Sequence, residues 1–195
     1  MRRLIGFLML AFVAAACSPS ASESNAADGD KDKDKGKGVV VDLDGLKSTT
    51  PGDWKEEAPA NRMRFLQFRL PKKGDDKENA ELIIFKGLGG GSKANVERWK
   101  KQFLPPKDKQ IDDVAKVEEI KIGDRPAVKL DIQGTYLFNP QPFNPRSKSE
   151  EKLNYRMLAI YLDGSENPYQ IKLTGPSKTV EAYKKGFDEW VKNFK

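Results

Sequence analysis

Histidine is absent from this chain of 195 residues, and cysteine occurs once, at Cys17. The first absence removes the commonest general base and the commonest metal ligand. The second excludes a disulfide framework and a thiolate zinc site within one chain. No dense Lys/Arg cluster occurs either. The formal net charge is +6, but the two signs are interspersed, as on a solvated surface, and no nucleic-acid partner is expected. Long apolar runs are also missing: Leu4 to Ala16 is too short for a comfortable membrane span, and the mean hydropathy is -0.69.

What is present begins with an address. Met1-Arg2-Arg3 is a positive start, followed by the apolar run and by Val13-Ala14-Ala15-Ala16-Cys17-Ser18. This junction resembles the bacterial lipoprotein signal, in which the cysteine is diacylated on sulphur and becomes the mature N-terminus. The family prefers Leu three residues before the cysteine, and here that place holds Ala14. The resemblance implies a signal peptide over 1–16, a lipidated Cys17 and a membrane contact made through its acyl chains. Ser18, rather than Asp, fits sorting to an outer membrane, facing the periplasm. From Ser18 to Gly38 the chain is polar and small, with alternating Asp and Lys, and lacks apolar residues to bury. A disordered tether over 17–38 is expected. Its four spaced aspartates are interleaved with lysines and lack the acid that closes a calcium loop, so no metal is expected there.

The remainder, 39–195, reads as one domain of strands and two helices. Val39–Leu43, Met63–Leu70, Ala80–Lys86, Val117–Ile122, Pro126–Tyr136, Tyr155–Leu162 and Tyr169–Leu173 are strand candidates, with a hairpin at Gly123-Asp124. Gly87 to Lys93 departs from both the dinucleotide and the Walker glycine patterns, so it is expected to be a connection and no cofactor is assigned. A helix over Ala94–Phe103 places Val96, Trp99 and Phe103 at i, i+3, i+7. Thr174-Gly175-Pro176 is expected to stop the last strand and start a helix. That helix sets Val180, Tyr183, Phe187, Trp190, Val191 and Phe194 on one face, with Lys184, Lys185, Asp188, Glu189 and Lys192 outside. The fold class is therefore α+β, an antiparallel sheet with helices packed on its faces.

At Gly90–Trp99 and Leu173–Val180 the chain resembles a group of uncharacterised bacterial secreted lipoproteins. Its layout from about 46 to 195 is similar to the PsbP-like fold, known from an extrinsic subunit of photosystem II and from a Ran-binding nuclear-import factor. The resemblance implies a non-enzymatic domain that docks on a larger partner, and it carries over no binding residue. Leu137 to Asn154, a long connection with Phe138, Phe143 and Arg146 among prolines, is the expected partner-docking segment. Two readings stand: a lipid-anchored binding or assembly module with a protein partner in the cell envelope, and an envelope hydrolase using carboxylates in a cleft. No catalytic residue is assigned, because adjacent carboxylates such as Asp75-Asp76 and Glu118-Glu119 give no dyad geometry.

Overall fold

The structure, a computed structural model, describes residues 36–141, 144, 146–163 and 167–195. Strands β1 (Val40–Leu43) and β2 (Leu46–Thr49) form a two-stranded sheet. They turn at Asp44-Gly45, both at positive φ, where Asp42 accepts the Gly45 N–H at 2.8 Å, the local bond that suits Asp to turns. Next come β3 (Lys55–Glu57), β4 (Arg64–Leu70), β5 (Ala80–Lys86) and helix α1 (Gly91–Lys100). After them follow β6 (Phe103–Leu104), a 3-10 turn at Ile111–Asp113, β7 (Ala115–Ile122) and β8 (Arg125–Phe138). The chain closes with β9 (Glu150–Leu162), β10 (Tyr169–Pro176) and α2 (Ser177–Lys192). Strands β3 to β10 make one antiparallel sheet in the order β3-β4-β5-β10-β9-β8. The far edge of β8 is shared by β7 along residues 125–132 and by β6 at Thr135 and Tyr136.

Strands β9 and β10 lie at the centre, and from Met157 to Leu162 β9 is apolar on both faces because both are covered there. Leu158, Ile160 and Leu162, with Tyr169, Ile171 and Leu173 of β10, face α2. Met157, Ala159 and Tyr161 face α1 with Leu130, Ile132, Val96, Trp99 and Phe103. The stripe of α2 is buried as its spacing predicts, from Val180 to Phe194. Trp190 is its hub, with ring centroids 5.3 Å from Trp54, 6.0 Å from Phe187 and 5.0 Å from Phe194. Asp76, in the β4–β5 turn, accepts the backbone N–H and the hydroxyl of Thr179, both at 2.7 Å. It thereby satisfies one of the orphan donors in the first turn of α2.

Several elements differ from the sequence reading. Strand β10 does not stop at Thr174: it stays paired with β9 as far as Pro176, which opposes Tyr155. Only its pairing with β5 ends there, so Pro176 sits where no donor is needed, and it precedes the first helical residue rather than occupying it. Gly175 is required by packing, since a Cβ on it would lie 2.6 Å from the Ala80 methyl. Helix α1 begins at Gly91 and ends at Lys100, and Phe103 belongs to the short strand opposite Tyr136. The expected long connection is the largest correction. Leu137 and Phe138 lie in β8, and β9 begins at Glu150, so the connection spans only 139–149. The strand ends were hidden because Glu150-Glu151-Lys152 lie outside the core and show no apolar alternation. The strands β2, β3 and β6 are too short to show a period.

Candidate functional site

Past Ile132 strand β8 loses β7, and before Tyr155 strand β9 loses β10. The remaining β8–β9 ribbon projects as an arm, paired among the described residues with the two residues of β6 and bonded to Glu78 of the β4–β5 turn through Lys152 and Tyr155. Along one face runs an aromatic series. The Tyr155 and Tyr136 rings are stacked at 5.9 Å, Phe103 is 5.1 Å from Tyr136, and Phe138 is 6.4 Å beyond it. Phe138 is 38% exposed, and Leu104 and Leu153, on the arm or its flanking strand, are 43% and 67% exposed. Of the predicted docking residues, Phe138 thus ends the aromatic series, while Arg146 is exposed in the connection beyond it. That connection is drawn together by its own side chains: Asn139 accepts from the Gln141 N–H at 2.9 Å and from the Ser147 hydroxyl at 2.7 Å. Asn144 accepts the Arg146 N–H at 3.0 Å. Phe143 and Cys17 lie outside the described residues.

A second constellation, which sequence reasoning missed, lies beside the arm on the same face of the sheet. Helix α1 covers β8 and β9 but leaves Glu81, Ile83 and Phe85 of β5 half-exposed. At the seam stands Lys172 of β10, opposite Ile83, donating to Gln102 Oε1 at 3.1 Å. One helical turn before Gln102, Arg98 donates to Asn95 Oδ1 and, at 3.2 Å, to Gln170 Oε1. Asn95 and Gln170 are 1% and 2% exposed, and they are fixed in turn. Gln170 donates to Leu88 O and Asn95 Oδ1, each at 2.9 Å, and Asn95 to Gly89 O at 3.1 Å and Gly91 O at 2.7 Å. The Gly-rich connection is therefore a set of acceptors that aims Arg98 through two buried amides. In the sequence, Gln170, Lys172 and Thr174 look like the solvent face of a strand, and nothing links them to Asn95 and Arg98 some seventy residues earlier.

Burial pushes the Lys172 ammonium down to about 8, reinforced by the positive charges of Arg98 and Arg64 and opposed by Glu81. Glu81 is itself engaged by Arg64 at 2.6 Å. The Tyr136 hydroxyl is raised by burial and by the nearby Glu81 charge. In the unfolded chain Lys172 would hold its proton to about 10.5. Between those values the unfolded state binds more protons, so stability attributable to this residue is lowest below pH 8 and is recovered as pH rises through that window. Lys172→Met is therefore expected to raise the unfolding free energy by about 1–2 kcal/mol at pH 7. In urea titrations the advantage should shrink towards zero by about pH 10.5; a difference that does not change with pH would contradict this account of the seam.

Several carboxylates elsewhere are held by cations. Burial works to raise Asp131, but Arg156 grips it with two bonds of 2.7 Å, Lys184 adds a third contact at 3.2 Å, and its carboxyl stays below the usual range. The helical spacing places Lys184 and Asp188 outside, but both reach the sheet: Lys184 binds Asp131, and Asp188 binds Lys129. Glu78 is held low by the Tyr155 hydroxyl at 2.7 Å and by Lys152 at 3.0 Å. Asp75 is held low chiefly by Lys178, and Glu118 by Lys116. Ser149 and Lys152 have a Ser-x-x-Lys spacing, but Lys152 is in an extended strand and bound to Glu78, so the pair does not converge as it would on a helix.

No family model matches the chain, and no curated protein matches it. Among the solved structures similar in shape are the following three. Cyanobacterial PsbP (CyanoP) from Synechocystis sp. PCC 6803 is 13% identical, with a TM-score of 0.50, covering 88% of this chain and 98% of its own. A protein of unknown function from Pseudomonas aeruginosa is 15% identical, with a TM-score of 0.43, covering 80% of this chain and 95% of its own. A protein from Bacteroides thetaiotaomicron is 16% identical, with a TM-score of 0.42, covering 83% of this chain and 48% of its own. With its antiparallel sheet between α1 and α2, the chain has an α+β fold of the PsbP-like kind.

Proposed function

We propose that this protein is a lipid-anchored binding module of the bacterial cell envelope. Cys17 carries the acyl chains, residues 18–38 form the tether, and the domain over 39–195 faces the periplasm from the outer membrane. It docks on a protein partner through the β8–β9 arm, with Phe138, Phe143 and Arg146 as its contacts, and it catalyses no reaction. The single observation that carries this reading is the aromatic series on the arm. Tyr155, Tyr136 and Phe103 pack behind a Phe138 that is 38% exposed. A rigid aromatic presented on a supported ribbon loses little conformational freedom on binding, and aromatic and Arg residues dominate interface hot spots. The hydrolase alternative draws less support. A general acid needs a carboxyl raised towards neutrality, whereas Asp44, Asp75, Glu78, Glu118 and Asp131 are all lowered.

Two measurements test the reading. Intact mass of the mature protein should show acyl chains on Cys17, and Cys17→Ser should release the protein from the membrane fraction; an unmodified thiol there would refute the anchor. Phe138→Ala combined with Arg146→Ala should abolish capture of the partner in affinity purification from cross-linked envelopes. The urea midpoint should stay nearly unchanged, because both side chains are exposed. Unchanged capture together with lost stability would assign the arm to the core instead.

A further inference from the structure

The seam between α1 and β10 places two cations side by side with neutral partners. Lys172 donates to the Gln102 amide, and Arg98 to the amides of Asn95 and Gln170. Arg64, the third cation in reach, is engaged by Glu81 at 2.6 Å and by Gln67 Oε1 at 2.7 Å. The seam therefore carries a net positive charge on one half-buried and one oriented side chain, each with donors that have no partner among the described residues. A lysine has three donors and an arginine five. Lys172 is the partly desolvated one of the two, and an ammonium in such a position is unfavourable unless an anion completes it. The fixed amides show where that anion would sit. Asn95 and Gln170 are buried and engaged with the Leu88, Gly89 and Gly91 carbonyls, so they tether one edge of the solvent-exposed Arg98 guanidinium at the seam. On the β5 side Ile83 lies across from Lys172 and Phe85 across from Gln170, both part-exposed, while Glu81, two residues from Ile83 on the same face, is held by Arg64 at 2.6 Å.

We infer that this seam binds the carboxylate of an organic acid, with Arg98 and Lys172 on the carboxylate oxygens and Ile83 and Phe85 against the apolar body of the ligand. The planar guanidinium matches a carboxylate, and the apolar wall selects an acid with a hydrophobic body over a bare inorganic anion. The site is separate from the arm's docking surface and does not depend on it.

Benzoate is a suitable probe, since it joins a carboxylate to an apolar ring. In the full chain labelled with carbon-13 at lysine Cε, saturating benzoate should move the Lys172 titration midpoint upward by about one unit, as an added opposite charge does. It should also shift the side-chain amides of Gln102 and Gln170. In Lys172→Met and in Arg98→Gln the affinity read from those amides should fall at least tenfold. Lys172→Met is expected to be at least as stable as the wild type, so it keeps the test decisive if Arg98→Gln folds poorly. A Lys172 midpoint unmoved by benzoate, or affinity undiminished in Lys172→Met, would overturn the assignment. Inorganic phosphate moving the midpoint as far at equal concentration would also overturn it, by showing a seam that does not discriminate for carboxylates.

Discussion

Replacing Trp190 with alanine is expected to cost about 3–5 kcal/mol of unfolding free energy, as large aromatic truncations in cores do. The indole is 2% exposed and lies within 6.0 Å, centroid to centroid, of Trp54, Phe187 and Phe194. Its loss would open a cavity that three rigid rings cannot collapse into. The indole N–H has no hydrogen-bond partner among the described residues, so the expected loss is one of packing. Trp190→Phe should therefore cost well under half as much as alanine. Lys192→Ala, on the exposed side of α2, should change stability by less than about 0.5 kcal/mol. Urea titrations of the three variants test this together. Equal and small effects would mean that α2 does not close the core.

The second large effect is expected at Asp131. This carboxylate is 14% exposed, and it joins Arg156 on β9 to Lys184 on α2. Asp131→Ala would leave two partly buried cations facing each other, Arg156 keeping Glu181 and Lys184 keeping Asp188 at 3.4 Å. A cost of about 2–4 kcal/mol is expected at pH 7, because removing one partner strands the others. The sign of the pH dependence follows from the lowered carboxyl. Its stabilisation is fully present above the ordinary carboxylate range and is lost as pH falls through the folded value. The gap between wild type and Asp131→Ala should therefore narrow in acid; a gap of constant size from pH 7 to pH 3 would contradict the role of the ion pair.

Sequence periodicity located elements with one covered face, and the apolar run Tyr155–Leu162 marked a strand covered on both. The α2 stripe from Val180 to Phe194, the strands Arg64–Leu70 and Ala80–Lys86, and the Gly123 hairpin all alternate between core and water. The period failed where that contrast vanishes. Glu150–Asn154 form a ribbon with no covering layer, so polar residues there read as a loop. Lys184 and Asp188 face the sheet at helical positions that spacing assigns to solvent, because Asp131 and Lys129 supply buried ionic partners from another strand. The docking residues were only partly legible. Phe138 stood out by its aromatic character among prolines, but its support by Tyr136, Phe103 and Tyr155 depends on cross-strand registers that no local pattern encodes. The Lys172 seam was not legible at all. It arises where side chains of β10 meet Arg98 of α1 and Gln102 just beyond it, which come together only in three dimensions.

The proposal of a docking module is tested most directly by site-specific photo-crosslinking in native envelopes. A photoreactive residue placed at Phe138 on the arm, and in a separate variant at Lys192 on the far side of α2, should give different results at equal protein levels. The account predicts one discrete protein adduct from position 138, absent from position 192 and lost on adding Arg146→Ala. The same adduct from both positions, or none from position 138 in a fully accumulated protein, would contradict it.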